Sequence, residues 1–379
     1  MKVNKYEWLV ESTSLDVGLS KLFNSLFFWV PNLKIWDSSR KIFMQLSYNC
    51  FIMLDKLNNS YPSKRPKSRI LIWHAGALGD FIMICPMIAH LKMFSTIDFW
   101  STDNSIRLGH FFNLIHKGMS IYQSDISSLF TNTPSIKMGN LINSYDYILL
   151  ISLSEVLEQN IKKIAIKPES IFRIPPRPTV DHRIHASQFI LKQVQSISPF
   201  QRLMIPNPQN GFNSQNKKSC QKIFIHPGSG SHRKNWLIDR FIQLSQELIL
   251  LGWQIEWILG PSDTHLQSHL VGKGKLHLLS EIIDVVHLFQ SQPVLIGNDS
   301  GLSHLASYMG CPTLSIFGPS DPIRWHPIGP CYRVITSKHV SCSPCFEKTI
   351  HNCDNNDCLT TISVHDVLND FISLITKKE

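Results

Sequence analysis

Charge is scarce in this 379-residue chain: 17% of the residues are Asp, Glu, Lys or Arg, against 43% that are hydrophobic. That balance excludes a largely disordered chain and supplies enough apolar side chains for two ordinary domain cores. Long apolar runs are lacking too. No stretch approaches the roughly 20 apolar residues of a membrane-spanning helix. The nearest, residues 22–30, is interrupted by Asn24 and Ser25 and stopped by Pro31. The opening Met1-Lys-Val-Asn-Lys-Tyr-Glu7 has no apolar core before a cleavage site, so no secretory signal is expected and the cytoplasm is the expected compartment. There is no arginine-rich run and no nucleic-acid module. The formal charge of +9, from 37 Lys and Arg against 28 Asp and Glu, therefore points to phosphorylated substrates or an anionic membrane face and not to nucleic acid.

The dinucleotide fingerprint is incomplete as well. Gly76-Ala-Leu-Gly79-Asp80 follows an apolar strand at 69–73 and opens an apolar helix at 81–91, which is the start of a parallel α/β unit. However, His74 stands where the first glycine of GxGxxG belongs, and this argues against a nicotinamide site. Asp80 has two readings, a helix-capping carboxylate or a general base at a strand end facing a cleft. Pro86 is expected to kink its helix or to sit where one hydrogen bond is given up.

What the chain does hold is a complete strand, loop, helix and second strand at 294–319. Residues 294–296 form a strand that is expected to break at Gly297, and Asn298, Asp299 and Ser300 offer oxygens to cap a helix. Leu302, Leu305, Ala306 and Met309 recur at the spacing of a buried helical stripe, Gly310 suits a left-handed cap, and Pro312 precedes a second strand at 313–317. A helix starting at the carboxyl end of a strand, with Gly301 allowing close approach, presents free N–H groups and a positive dipole end to an anion such as phosphate. Asp299 would repel that phosphate, so its expected task is to order backbone N–H groups or hold a cation such as Lys234. His304 is either a satisfied core histidine or part of the site.

A similar unit opens at the strand 222–226 with the loop Pro227-Gly-Ser-Gly-Ser-His-Arg-Lys-Asn235, whose hydroxyls and cations suit phosphate, although a solvated loop is the duller alternative. Its helix is expected to bury Phe241, Leu244, Leu248 and Leu251 and to stop at Gly252 before a strand at 254–259; another helix begins near Ser280. Repeated βα units imply doubly wound parallel sheets, with ligands outside the carboxyl ends of the strands. The expected organisation is a helical extension over 1–64, a first Rossmann-like domain over 65–200, a linker over 201–218 and a second Rossmann-like domain over 219–379. Residues 22–30, with Trp29, Trp36 and nearby Lys and Arg, are read as part of a helical lobe packed on the body, ahead of a helix lying in a membrane interface. Among nine cysteines, Cys342, Cys345, Cys353 and Cys358 could supply the four ligands of a structural zinc, but the later spacing is not that of two paired knuckles, and buried free thiols are the favoured reading.

Several motifs in order resemble glycosyltransferase family 9, the bacterial lipopolysaccharide heptosyltransferases. They are Ala77-Leu-Gly-Asp80 with Pro86, His226-Pro-Gly228 with Trp236, Gly297-Asn-Asp-Ser-Gly-Leu-Ser-His-Leu-Ala306, Phe317-Gly-Pro319 with Trp325 and Pro327, and Cys342-Ser-Pro-Cys345-Phe346 with Cys358. The resemblance spans roughly residues 68–370 and implies a GT-B fold, two Rossmann-like domains facing a cleft. It further implies inverting transfer of heptose from ADP-heptose to the lipopolysaccharide inner core, a lipid A-core acceptor, with no catalytic metal or other cofactor, at the inner face of the cytoplasmic membrane. By the same resemblance Asp80 is the base and Lys234 the cation at the departing diphosphate. The donor is held by Gly79, Ser229, Gly230, Ser231, Asp299, Ser300, Gly301 and His304, with Asp263 near its ribose. Alternatives are another nucleotide sugar as donor, or a non-catalytic nucleotide- or glycolipid-binding partner. With Asp80 and the phosphate turn on different domains, closure of the cleft is expected to unite them.

Overall fold

Strands form where β-branched and aromatic residues run without a polar break, and the computed structural model places eleven of them in two parallel sheets. It describes residues 67–131, 135–202, 221–346, 353 and 355–376. The expected extension, its membrane-interface alternative and nearly all of the expected 201–218 linker lie outside these residues.

The first sheet has β1 (Ser68–His74), β2 (Ser95–Ser101), β3 (Lys117–Ser120), β4 (Tyr147–Ile151) and β5 (Ile171–Ile174) in the order β3-β2-β1-β4-β5. The second has β6 (Lys222–His226), β7 (Gln254–Leu259), β8 (Lys275–Leu278), β9 (Val294–Asn298), β10 (Thr313–Phe317) and β11 (Tyr332–Thr336), ordered β11-β10-β9-β6-β7-β8. The strand order reverses between β1 and β4 and again between β6 and β9. At such a switch point the connections leave in opposite directions and open a crevice at the carboxyl edge. The loops after β1, β6 and β9, which carry the motifs, are the ones at these two points.

The eight longer helices are α1 (Leu78–Phe94), α2 (Asp103–Phe111), α3 (Glu155–Ile164), α4 (Ala186–Gln195), α5 (Ile238–Leu250), α6 (Ile282–Phe289), α7 (Gly301–Tyr308) and α8 (Val364–Thr376). α1 is unusual in being apolar on every side: Phe81, Ile82, Met83, Ile84, Cys85, Met87 and Ile88 are all buried. A helix without a polar face must be covered all round. Here α1 lies against β2, α4 and α7, so it joins the first sheet to the second. Pro86 sits within it, and the helix continues to Phe94.

One core cluster consequently runs from Ile70, Phe99 and Leu149 of the first sheet, through Phe81 of α1 and Leu305 and Tyr308 of α7, to Phe224 and Leu295 of the second. Residues Lys67–Glu379 form one compact unit.

Two local expectations are corrected. β9 does not break at Gly297 but continues through Asn298, paired to β6 with Gly297 opposite His226. A Cβ at 297 would stand 2.9 Å from the His226 carbonyl oxygen, so glycine serves the close pairing and not a turn. Leu251 is not buried: α5 ends at Leu250, Gly252 takes φ +86°, and Leu251 is left 56% exposed.

Candidate active site

The turn after β1 folds back on itself before α1 begins. Asp80 lies in the first turn of α1, and its Oδ2 accepts a hydrogen bond from the Ala77 N–H at 3.1 Å. The capping reading is therefore met, and the same carboxylate also lines the cleft described below. Behind it, His74 is buried, and burial lowers its pKa to about 4 against the opposing pull of the Asp80 charge.

The turn after β9 begins α7 with Ser300 as its cap, Oγ accepting from the Ser303 N–H at 3.3 Å. Asn298 does not cap; it is a buried brace, its Oδ1 accepting from the Trp236 N–H at 2.9 Å and its Nδ2 donating to the Pro227 carbonyl at 2.7 Å. Asp299 is buried, with Lys234 Nζ 3.3 Å and His304 Nε2 3.6 Å from its two oxygens. Burial would raise its pKa, but the hydrogen bond from His304, the Lys234 charge and the Ser320 hydroxyl hold it down at about 2. Asp299 thus holds a cation in the cleft wall. Gly301 does permit a close approach, but the neighbour is Leu78 of α1: a Cβ would stand 2.9 Å from the Leu78 Cβ.

In the loop after β6, Ser229 Oγ lies 2.6 Å from Asn235 Oδ1 and accepts from the Ser231 N–H at 3.2 Å, which curls the loop. Gly230 has open space where a Cβ would be. Asp263 is buried, its Oδ2 accepting from the Gly260 N–H at 3.1 Å at the start of a short 3-10 helix. A Cβ on Gly228 would overlap its carboxylate, so this glycine is required by the packing. His226, buried beside it, donates through Nδ1–H to the Ile258 carbonyl, 3.0 Å away, and burial lowers its pKa against the Asp263 charge.

These loops converge on a cleft of about 710 Å³ between the carboxyl edges of the two sheets. Gly79, Asp80, Ser229, Gly230, Lys234, Asp263, Asp299, Ser300, Gly301 and His304 all line it; Ser231 does not. Sequence reasoning missed Asn104, Arg177, Glu281 and Ser320, which also line it, and gave no role to Trp325 and Phe346, although both stand in the motifs. Ile258, Leu279, Ile282 and Val285 make part of its wall apolar. Such a cleft, with apolar side chains, Lys234, Arg177 and a helix start in its lining, can take a flat ring and a diphosphate together.

The two lobes touch across the cleft in this structure. A Cβ on Gly79 would lie 3.1 Å from the His304 ring, Arg107 pairs with Glu281, and Arg183 donates to both Asp321 oxygens at 3.0 and 3.2 Å. The physical reason is the shared burial of α1 and α7.

Cys345 and Cys358 are buried and Cys342 and Cys353 exposed. Burial and the neighbouring cysteines raise the Cys358 pKa to about 11. Among the described residues no group of three or more His, Cys, Asp or Glu is arranged to hold a metal ion, and residues 347–352, between Cys345 and Cys353, are not among them. No helix of the described residues is long and apolar enough to cross a membrane.

Two doubly wound parallel sheets that open their carboxyl edges onto one cleft define a GT-B architecture. Comparison of folds agrees. A glycosyl transferase family 9 structure from Veillonella parvula superposes with a TM-score of 0.61 at 18% identity, covering 82% of this chain and 98% of that one. Escherichia coli heptosyltransferase WaaC with ADP gives 0.55 at 13% identity, covering 80% and 99%. In sequence, the pattern of Glycosyltransferase family 9 (heptosyltransferase) matches residues 186–354. Lipopolysaccharide heptosyltransferase 3 of Escherichia coli K12 is 29% identical over 119 residues, 28% of this chain and 33% of the relative. Over residues 186–354 the chain is thus similar to glycosyltransferase family 9. The chain matches a third of the length of that curated relative, and the family pattern begins beyond Asp80.

Proposed function

We propose that the protein is an inverting glycosyltransferase that moves heptose from ADP-heptose to a lipid A-core acceptor of the lipopolysaccharide inner core, without a catalytic metal. The observation that carries this reading is the meeting of Asp80 and the Asp299–Lys234–His304 group in one cleft, one on each sheet. Inversion needs a base and a leaving group on opposite sides of the sugar carbon, and two facing walls supply that arrangement.

Asp80 takes the proton of the attacking acceptor hydroxyl, with its Oδ2 held by the Ala77 N–H. A positioned base contributes typically 10²–10⁴-fold. As the bond to the diphosphate breaks, Lys234 and the N–H groups at the start of α7 meet the charge growing on it; a single donor of this kind is worth about 10²–10³-fold. Asp299 keeps Lys234 in place. Gly79, Ser229, Gly230, Ser300, Gly301 and His304 border the diphosphate, Asp263 stands toward the ribose, and the apolar wall with Ile258 and Val285 takes the base. ADP as the nucleotude is supported by the likeness to heptosyltransferase WaaC with ADP.

The acceptor is membrane-held and anionic, and the net charge of +9 favours work at the inner face of the cytoplasmic membrane. The test is a panel of nucleotide sugars with truncated core acceptors, read by ADP release and product mass. ADP-heptose is the donor expected to be consumed; intact ADP-heptose with turnover of another sugar would overturn the donor assignment. Asp80→Asn is expected to abolish turnover while nucleotide binding stays near wild type.

A further inference from the structure

His74 plays no part in the scheme above, yet it stands closest behind its proposed base. It is the last residue of β1, 1% exposed, and its ring lies parallel to that of Phe99, with centroids 6.5 Å apart and planes 12° off. Its Nδ1 is buried with no hydrogen-bond partner among the described residues. A histidine kept only for packing would be better replaced by an apolar side chain, because a buried polar atom without a partner costs stability. The hydrogen-bonding capacity of the ring is thus left to Nε2.

Nε2 faces Asp80. A Cβ built on Gly76 would stand 2.6 Å from His74 Nε2 and 2.8 Å from Asp80 Cβ, so the two side chains flank one point that only a glycine leaves empty. Burial keeps the ring neutral at pH 7, with a pKa of about 4. It can therefore offer Nε2–H as a donor without placing a fixed positive charge beside the carboxylate.

We propose that His74 is a positioning residue for Asp80: packed on Phe99 and admitted by Gly76, it holds the carboxylate in the orientation from which it takes the acceptor proton. This rests on the reading of Asp80 as the base. His74 touches no substrate, so its loss acts on turnover and not on binding.

The experiment compares His74→Ala, His74→Gln, Gly76→Ala and Asp80→Asn, each checked for wild-type ADP affinity by calorimetry as evidence of an intact fold. His74→Ala is expected to lower kcat about tenfold or more with the donor and acceptor KM unchanged, since a small misplacement of a catalytic group is costly. His74→Gln, whose amide N–H reaches where Nε2 sits, is expected to recover most of that loss. Gly76→Ala, which wedges His74 and Asp80 apart, is expected to match His74→Ala. An unchanged kcat in His74→Ala, or a loss that raises KM equally and is not rescued by glutamine, would overturn the proposal while leaving Asp80 as the base. Wild-type turnover in Asp80→Asn would overturn both.

Discussion

Gly79 packs against His304 across the cleft: a Cβ at 79 would stand 3.1 Å from Cδ2 of the His304 ring, so the first turn of α1 meets α7 only because residue 79 has no side chain. The matching contact is Gly301 against Leu78, at 2.9 Å. Both glycines are therefore steric requirements of the lobe contact as well as part of the cleft lining.

Gly301→Ala is expected to force α7 away from Leu78, costing about 1–3 kcal/mol of stability as an overpacked contact does. ADP affinity should fall with it, because the α7 start moves. Chemical denaturation and calorimetry read the two effects; an unchanged stability would show that the lobes separate freely.

Lys234→Ala is expected to weaken ADP binding about tenfold or more and to lower kcat further, in line with the loss of a charge-assisted contact that strengthens as the diphosphate departs. Asp299→Asn should cost about 3 kcal/mol in stability, because it removes the carboxylate that Lys234 and His304 share in a buried setting. Equal effects of Lys234→Ala on ground-state binding and on turnover would place the lysine in binding alone.

The two loop serines separate cleanly. Ser229→Ala is expected to loosen the loop by breaking its contacts with Asn235 and Ser231, and so to raise the donor KM. Ser231→Ala should leave KM within about twofold, since Ser231 lies outside the cleft and a surface substitution of this kind is near neutral. Steady-state kinetics with saturating acceptor distinguishes them, and a raised KM in Ser231→Ala would return that residue to the donor wall.

Stability should fall as pH drops below about 6.5, and His185 is one cause. Its pKa is lowered to about 3, chiefly by burial and then by the His326 ring stacked on it. The unfolded histidine titrates near 6.5. Between these values the unfolded chain binds a proton that the folded chain does not, so each pH unit of acidification costs about 1.4 kcal/mol for one such group. His185→Phe keeps the stack and removes the titration. Its unfolding free energy should lose less than wild type between roughly pH 6 and pH 5; an identical loss would exclude His185 as a contributor.

Much of this fold is readable from runs of apolar residues. β6, β7 and β10 have the bounds read at 222–226, 254–259 and 313–317, because buried parallel strands are continuous Ile, Leu, Val and Phe. β3, Lys-Gly-Met-Ser, and β8, Lys-Leu-His-Leu, escaped that reading. Each lies at a sheet edge, half exposed, where the backbone ladder and not the side chains decides the strand. At the cleft, glycines and small polar residues grouped in one turn were visible in the sequence. Arg177, alone in a proline-rich segment, and Asn104, in the first turn of α2, carry no local pattern and reach the cleft only through the fold. The contact between α1 and α7 was equally hidden, since a glycine in a first turn looks the same whether it meets an anion or another helix.

The apolar girth of α1 has a consequence for how this molecule comes apart. Its residues are counted in the hydrophobic interior of both sheets at once. Neither sheet can shed its packing and leave the other whole, so residues 67–379 should melt in a single cooperative step, and severing the chain between β5 and β6 should leave two sticky fragments where a two-bead architecture would suggest two stable ones.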